Sequence, residues 1–367
     1  MNKKLFLFIL IAFLNLAVSH CAFAQDWSSP EVEQMYQQGL NTLSRGNATE
    51  AVAIFQKIVP LEPNNLQVKK SLATAYQLSG NYKNTLLVLD PIIASGNADA
   101  ESYRVAAQAY NGLLEEKKAL KTLSEGIQKN PNSGILYYEQ GIIYKGQKNF
   151  EAALKSWVDG IAADPNFHLN YHEAAIAYIQ TDQVIWAIIY AEIFINKEPN
   201  TKRGNDTRIL LLDAYQKLFF TPSKNVNGDA TVTMNPTNFE EAVKKTYLSL
   251  FFVVNDGITT ENLIMLRSRF AISWFDNYAS KYPFTLFSFH NEMMRNGYFD
   301  TYNQWLVGKA ENPQQYQTWL ETFADDVSFF EQFRIKNPLR LAASDNFNTS
   351  RNFKGFFSEK SGKTSKR

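Results

Sequence analysis

The sequence predicts an all-α protein in two parts: a stack of paired helices, then a second helical module rich in aromatic rings. Two observations carry this expectation. A 34-residue period runs from Val32 across five rows with no insertion or deletion. Beyond it, amphipathic runs alternate with Gly and Pro breaks as far as Lys336. With 45% apolar and 20% charged residues in 367, the composition fits a folded chain.

The first 24 residues stand apart. Lys3 and Lys4 precede an apolar run from Leu5 to Val18, and Ala22-Phe23-Ala24 forms a small-x-small cleavage pattern before Gln25. This is the anatomy of a secretory signal peptide, residues 1–24, too short for a comfortable membrane span. The rival is lipidation at Cys21, which the bulky His20 before it disfavours. Cleavage would leave 35 basic against 36 acidic residues, a net of −1, and remove the only cysteine. Nothing in that balance calls for nucleic acid. An exported chain without disulfides must be held by packing alone. The expected location is periplasmic or secreted, with no integral span once the signal is gone.

The rows begin at Val32, Leu66, Ala100, Gly134 and His168 and occupy residues 32–201. Position 8 is small throughout: Gly39, Ala73, Ala107, Gly141 and Ala175. Position 11 is Thr42, Tyr76, Tyr110, Tyr144 and Tyr178. Position 20 is Ala51, Thr85, Ala119, Ala153 and Ala187. Position 32 is Pro63, Asn97, Pro131, Pro165 and Pro199. Small residues at 8 and 20 let two helices cross closely, the ring at 11 fills the gap to the neighbour, and Pro ends the second helix. Gly46 and Gly80, near position 15, supply the turn inside a row. One pair cannot bury its own apolar face, so pairs must stack.

This pattern resembles the tetratricopeptide repeat (TPR). The resemblance covers rather under half the chain. It implies a helical-hairpin solenoid that binds a protein or peptide partner and needs no cofactor. In that family, positions 2, 5, 9 and 12 of each first helix face a concave groove. The candidates it implies here are Tyr36 in row one, Lys70 and Gln77 in row two, and Arg104, Gln108 and Asn111 in row three. Row four adds Tyr138, Ile142 and Lys145, and row five His172 and Ile176. Rows two and three read as polar. Rows four and five, with Ile135, Leu169 and Ile179 besides, read as apolar. Exposing them forgoes roughly 1.5–3 kcal/mol per side chain. Either the chain's own C-terminal half packs into this end, or an apolar or amphipathic partner segment does. Lys70, Arg104, Asn111 and Lys145 suggest a carboxylate clamp, but Tyr36, Leu40 and Val105 stand where its other members belong.

After Pro199, residues 202–220 read as a capping helix. Residues 221–238 are rich in turn formers and read as a loop and domain boundary, with a weak hairpin at 230–234. Residues 239–336 read as a helical module. Thr260 opens a run with Leu263, Leu266, Phe270, Trp274 and Tyr278 on one stripe, Gly297 and Gly308 read as stops, and Pro313 starts the last helix. Its rings, Trp274, Trp305 and Trp319 among them, read as core rather than as a sugar- or peptide-binding shelf. Residues 337–367 read as a disordered basic tail.

Catalytic signals are sparse. His168 and His172 lie one helical turn apart, an incomplete metal set. His290 near Glu292 is the best lone general-base candidate. Asp325 and Asp326 are adjacent and point apart. No phosphate-cradling loop or nucleophile elbow is present. The expected function is therefore an exported cell-envelope scaffold, not an enzyme. The alternative is a hydrolytic or carbohydrate-active enzyme with its site in the C-terminal module, recruited by the repeats.

Overall fold

The computed structural model describes residues 27–221, 236–348 and 353. The signal segment, the 230–234 stretch and the last residues lie outside them. The described residues form helices and no strand. The chain divides into two units, up to Ala98 and from Asp99 onward.

The first unit holds rows one and two: α1 (Pro30–Ser44), α2 (Ala48–Ile58), α3 (Leu66–Leu78) and α4 (Tyr82–Ala94). Ser29 and Asn65 cap the two first helices through their side chains. Tyr36, Phe55, Ile58, Val68, Leu72 and Tyr76 build the core. The small residue at position 8 has a concrete cause. A Cβ on Gly39 would lie 2.6 Å from the Phe55 ring.

The second unit begins with α5 (Ala100–Gly112), α6 (Glu116–Lys129), α7 (Gly134–Gly146), α8 (Phe150–Ala163), α9 (His168–Tyr178) and α10 (Val184–Lys197). The same position-8 contact recurs: a Cβ on Gly141 would lie 2.2 Å from Trp157 Nε1. All five residues at position 20 are fully buried. Position 15 takes the left-handed turn in rows one to four: Gly46 (φ 84°), Gly80 (φ 77°), Leu114 (φ 62°) and Lys148 (φ 59°). The last two carry a Cβ in a region that penalises it.

First helices α5 and α7, and α7 and α9, pack directly on one another, while each second helix packs on its own first helix and on the first helix of the next row. The first helices therefore line the closed face of this array. α11 (Lys202–Phe220) starts one period after α9 and continues that face. Its Lys217 donates to the Ile179 and Thr181 carbonyls at 2.8 and 2.5 Å, closing the end of α9.

α10 is buried at every residue from Val184 to Ile195. A helix apolar all round must be covered on both sides. The second module supplies the outer cover with α12 (Phe239–Leu248), α13 (Thr260–Asn277), α14 (Thr285–Arg295) and α15 (Phe299–Asn303). α15 continues through a π turn (Gln304–Gly308) into α16 (Lys309–Glu311), followed by α17 (Pro313–Thr322) and α18 (Ala324–Lys336). Phe239 is the hub, with the rings of Trp186, Trp274, Tyr282, Phe284, Phe287 and Phe347 around it. One core thus joins rows four and five to the module, so 221–238 does not separate two cores. Gly308 does not stop a helix but sits in the π turn. The cap of α13 is Thr259, not Thr260.

Residues 337–348 are not a free tail. Leu339, Leu341 and Asn348 are buried, as is Phe353. Asn348 Nδ2 donates to the Tyr178 and Tyr190 hydroxyls at 2.7 and 3.0 Å. Polar composition misleads here because few anchors suffice when each finds a prepared partner.

A polar network crosses the middle of this core, leaving Arg267 Nε buried without a hydrogen-bond partner among the described residues. Glu192 of α10 receives both Nη atoms of Arg267 (2.5 and 2.9 Å), His290 Nε2 (2.7 Å) and the Tyr302 hydroxyl (2.7 Å). Arg267 also reaches Tyr215 of α11 at 3.1 Å. Glu192, Arg267 and His290 are all buried. Burial pushes the Glu192 carboxyl up, but Arg267 and His290 more than offset it and hold it well below the usual range. Burial also lowers the proton affinity of His290.

Leu114→Gly relieves a left-handed residue whose side chain is 87% exposed, so it should stabilise by about 1 kcal/mol; equal or lower stability in urea contradicts the strain. His290, held below its ordinary value of 6.5, binds fewer protons folded than unfolded, so its contribution is complete above about pH 6.5 and is lost as pH falls. Glu192 adds loss of the same sign below 4.5. His172 acts like His290, whereas Glu139 and Glu240, raised by burial, act oppositely. The comparison with His290→Gln isolates one site. The wild-type melting temperature should fall more than the variant's between about pH 7.5 and 5, and parallel curves would contradict it.

Candidate functional site

The groove candidates divide by what their polar atoms already do. Tyr36 is buried beside Trp27 and Phe55, with its hydroxyl 2.9 Å from Ser71 Oγ. It therefore belongs to the core of the first unit and is not open to a partner. Lys70 and Gln77 of α3 are half-buried.

In the second unit, Gln108 Nε2 donates to Glu139 at 2.6 Å, and Arg104 lies 3.7 Å from the same carboxylate while bound to Glu101. Lys145 Nζ donates to Glu173 at 2.7 Å. Thr207 Oγ1 gives its proton to the Arg203 carbonyl (2.7 Å), so His172 Nδ1, 3.1 Å away, is the donor to Thr207.

These contacts share a rule. Ser71, Glu139, Glu173 and Thr207 all stand at position 6 of their rows, α11 counting as a sixth row from Lys202. Each receives or shares a proton with a groove-facing residue of the preceding row. Row three has Val105 there, buried and apolar. Tyr36, Gln108, Lys145 and His172 thus act as ties between successive repeats. The position-6 acceptors were missed by sequence reasoning, although an oxygen-bearing side chain at one position of four rows was a readable signal.

Between these ties, Ile135 and Ile142 of α7 and Leu169 and Ile176 of α9 stay half-buried, as do Tyr138 and Ile179. Burial raises the Tyr138 phenol, helped by Glu173 and Glu139. Asn111 is exposed at the far margin. Among the described residues, the second module makes no hydrogen bond to this strip. Its bonds to the repeats run to the other faces: Trp186 to Glu240, Asn196 to Tyr302, and Asn166 to the Leu341 carbonyl. Of the C-terminal half, α11 reaches the groove side, through Thr207 and Lys217.

The histidines do not form a site. His168 pairs with Glu198 at 2.9 Å, His172 turns to Thr207, and both rings lie against Phe194. Among the described residues, no cluster of three metal-ligating side chains occurs. His290 is enclosed in the Glu192 network while Glu292 is exposed. The two share no cleft, which an enzyme built on that pair requires. Among the described residues, no helix is long and apolar enough to cross a membrane.

No protein-family model matches the chain. Among curated proteins it is similar to the antiviral innate immune response effector IFIT1 of Macaca fascicularis, 26% identical over 132 residues. That stretch is 34% of this chain and 28% of the macaque protein. Protein IFIT1 homolog B of Homo sapiens is 24% identical over 107 residues, 29% of this chain and 23% of that one. The chain therefore spans well under two thirds of these relatives. Among solved structures, TTC0263, a thermophilic TPR protein of Thermus thermophilus, aligns with 50% of this chain and 98% of its own at 17% identity and a TM-score of 0.41. MamA of Desulfovibrio magneticus RS-1 aligns with 47% of this chain and 98% of its own at 16% identity and a TM-score of 0.38.

If Lys145 is a tie between repeats, Lys145→Ala should destabilise the fold by about 1 kcal/mol, because it leaves the Glu173 carboxylate without its partner. Asn111→Ala, at an exposed position, should cost under about 0.5 kcal/mol. Equal effects of the two in thermal unfolding would remove the assignment.

Proposed function

We propose that the chain is an exported interaction scaffold that holds an apolar or amphipathic protein segment along the face made by α7 and α9. One observation carries this reading. Ile135, Ile142, Leu169 and Ile176 remain half-buried on that face, and the second module's hydrogen bonds to the repeats run to other residues. Lys145 and His172 flank the strip with their polar atoms committed to the next repeat. Such a floor offers apolar contact and little hydrogen bonding, which suits a segment presenting side chains at helical spacing.

Export is part of the same proposal. It rests on the charged start, apolar run and small-residue cleavage pattern of residues 1–24.

The test is photocrosslinking in living cells from a reactive residue placed at Ile142 or Ile176. The expected product joins this chain to another protein. A crosslink found only within the chain, to residues after Asn348, would mean that its own C-terminal segment occupies the strip and would end the partner reading. Mass spectrometry of the mature protein is expected to find Gln25 first. A lipid on Cys21, or an intact Met1, would overturn soluble export.

A further inference from the structure

Outside the groove, unexplained features surround α17. None of its residues is buried, yet it presents a ring pair: Tyr316 and Trp319 stack at 5.7 Å with 23° between planes. Trp319, expected in the core, is half-exposed. Between α17 and α11 lies a cleft of about 340 Å³ walled by Arg208, Trp305, Lys309, Tyr316, Trp319 and Phe330. That volume falls in the range of small-molecule sites.

The cleft is built around Arg208. This residue is only 5% exposed. Its Nη1 donates to the carbonyls of Trp305 and Leu306, both at 2.8 Å, and its Nη2 lies 3.4 Å from the Pro199 carbonyl. Both short contacts fall in the π turn, where the ordinary helical bonding is broken, a feature frequent at functional sites. The guanidinium also lies over the Trp305 ring, 4.7 Å from its centroid.

Among the described residues Arg208 joins no ion pair. Glu331, the acid on the cleft wall, is held by Arg334 at 2.6 and 3.1 Å. Burial lowers the Arg208 pKa to about 10, so it is charged at neutral pH. Lys309 adds a second cation to the wall. A Cβ on Gly308 would lie 2.9 Å from Tyr316, so the absence of a side chain there lets that ring close on the turn. A fixed, buried cation with no direct ion pair, beside flat rings, favours an anion attached to a ring.

We propose that this cleft binds a small ring-bearing organic acid, its carboxylate set toward Arg208 and Lys309 and its ring against Trp319 and Tyr316. Aromatic acids and acidic sugars share this chemistry.

The mature full chain is titrated calorimetrically with 1-naphthoate and with glucuronate, each beside its neutral counterpart, 1-naphthalenemethanol and glucose. One acid should saturate a single site and bind at least about tenfold more tightly than its counterpart. Naphthoate alone would assign an aromatic acid, and glucuronate alone an acidic sugar. Trp319→Ala should weaken that acid by about tenfold or more, with thermal unfolding unchanged because the residue lies outside the core. Lys309→Gln, at an exposed position, should weaken it by a few-fold. The proposal is overturned if neither acid saturates, if the neutral counterpart binds as tightly, or if Trp319→Ala binds as the wild type does.

Discussion

The second unit depends on α10 having apolar residues on every face. A second helix at the end of a repeat array would ordinarily leave one side to water. Here Val184 to Ile195 are all enclosed, so the repeats cannot end there, and the module of residues 239–336 provides the cover. This explains why the two share one core. Apolar packing alone would allow α10 to rotate or slide. Glu192 removes that freedom, because its carboxylate is met by Arg267 of α13, His290 of α14 and Tyr302 of α15 at once. Buried ion pairs contribute little net stability when compared with a well-packed apolar replacement. Their effect here is geometric: one register of α10 brings all four groups within hydrogen-bonding distance.

The position-6 ties act on the repeats in a similar way. Gln108 reaches Glu139, Lys145 reaches Glu173, and His172 reaches Thr207. Each bond joins a groove-facing side chain to the next first helix. They orient adjacent helices and also remove hydrogen-bonding capacity from the groove. The face between them is left with apolar side chains whose polar neighbours are already occupied.

The repeats were legible because their packing code is local. Small residues at positions 8 and 20 and the ring at 11 answer contacts inside a hairpin or with its neighbour, and Gly39 against Phe55 repeats as Gly141 against Trp157. The groove was legible only as a set of positions. Whether Tyr36 or Lys145 is open depends on what the next row offers at position 6. The fate of α10 stood in its composition, since a helix apolar on every side announces a second covering layer, but the 34-residue frame drew attention to α9 instead. The His290–Glu192 contact spans 98 residues and had no sequence signature. His290 was rightly singled out as unusual and wrongly paired with Glu292, its neighbour in sequence.

Two buried arginines in this unit show how the same residue type can close a structure or leave it open. Arg267 faces a carboxylate through both Nη atoms, so its charge is neutralised within the core. Arg208 is similarly enclosed, yet its bonds go to carbonyls. Carbonyl dipoles satisfy donors without cancelling a charge. The three carbonyls, the Trp305 ring and the nearby Glu331 offset part of the cost of burying that charge, and an anion in the cleft would offset more. The π turn makes the arrangement possible by presenting two adjacent carbonyls to a single nitrogen. A charged group held there, beside rings and against an open cleft, is the feature on which the proposed acid site rests.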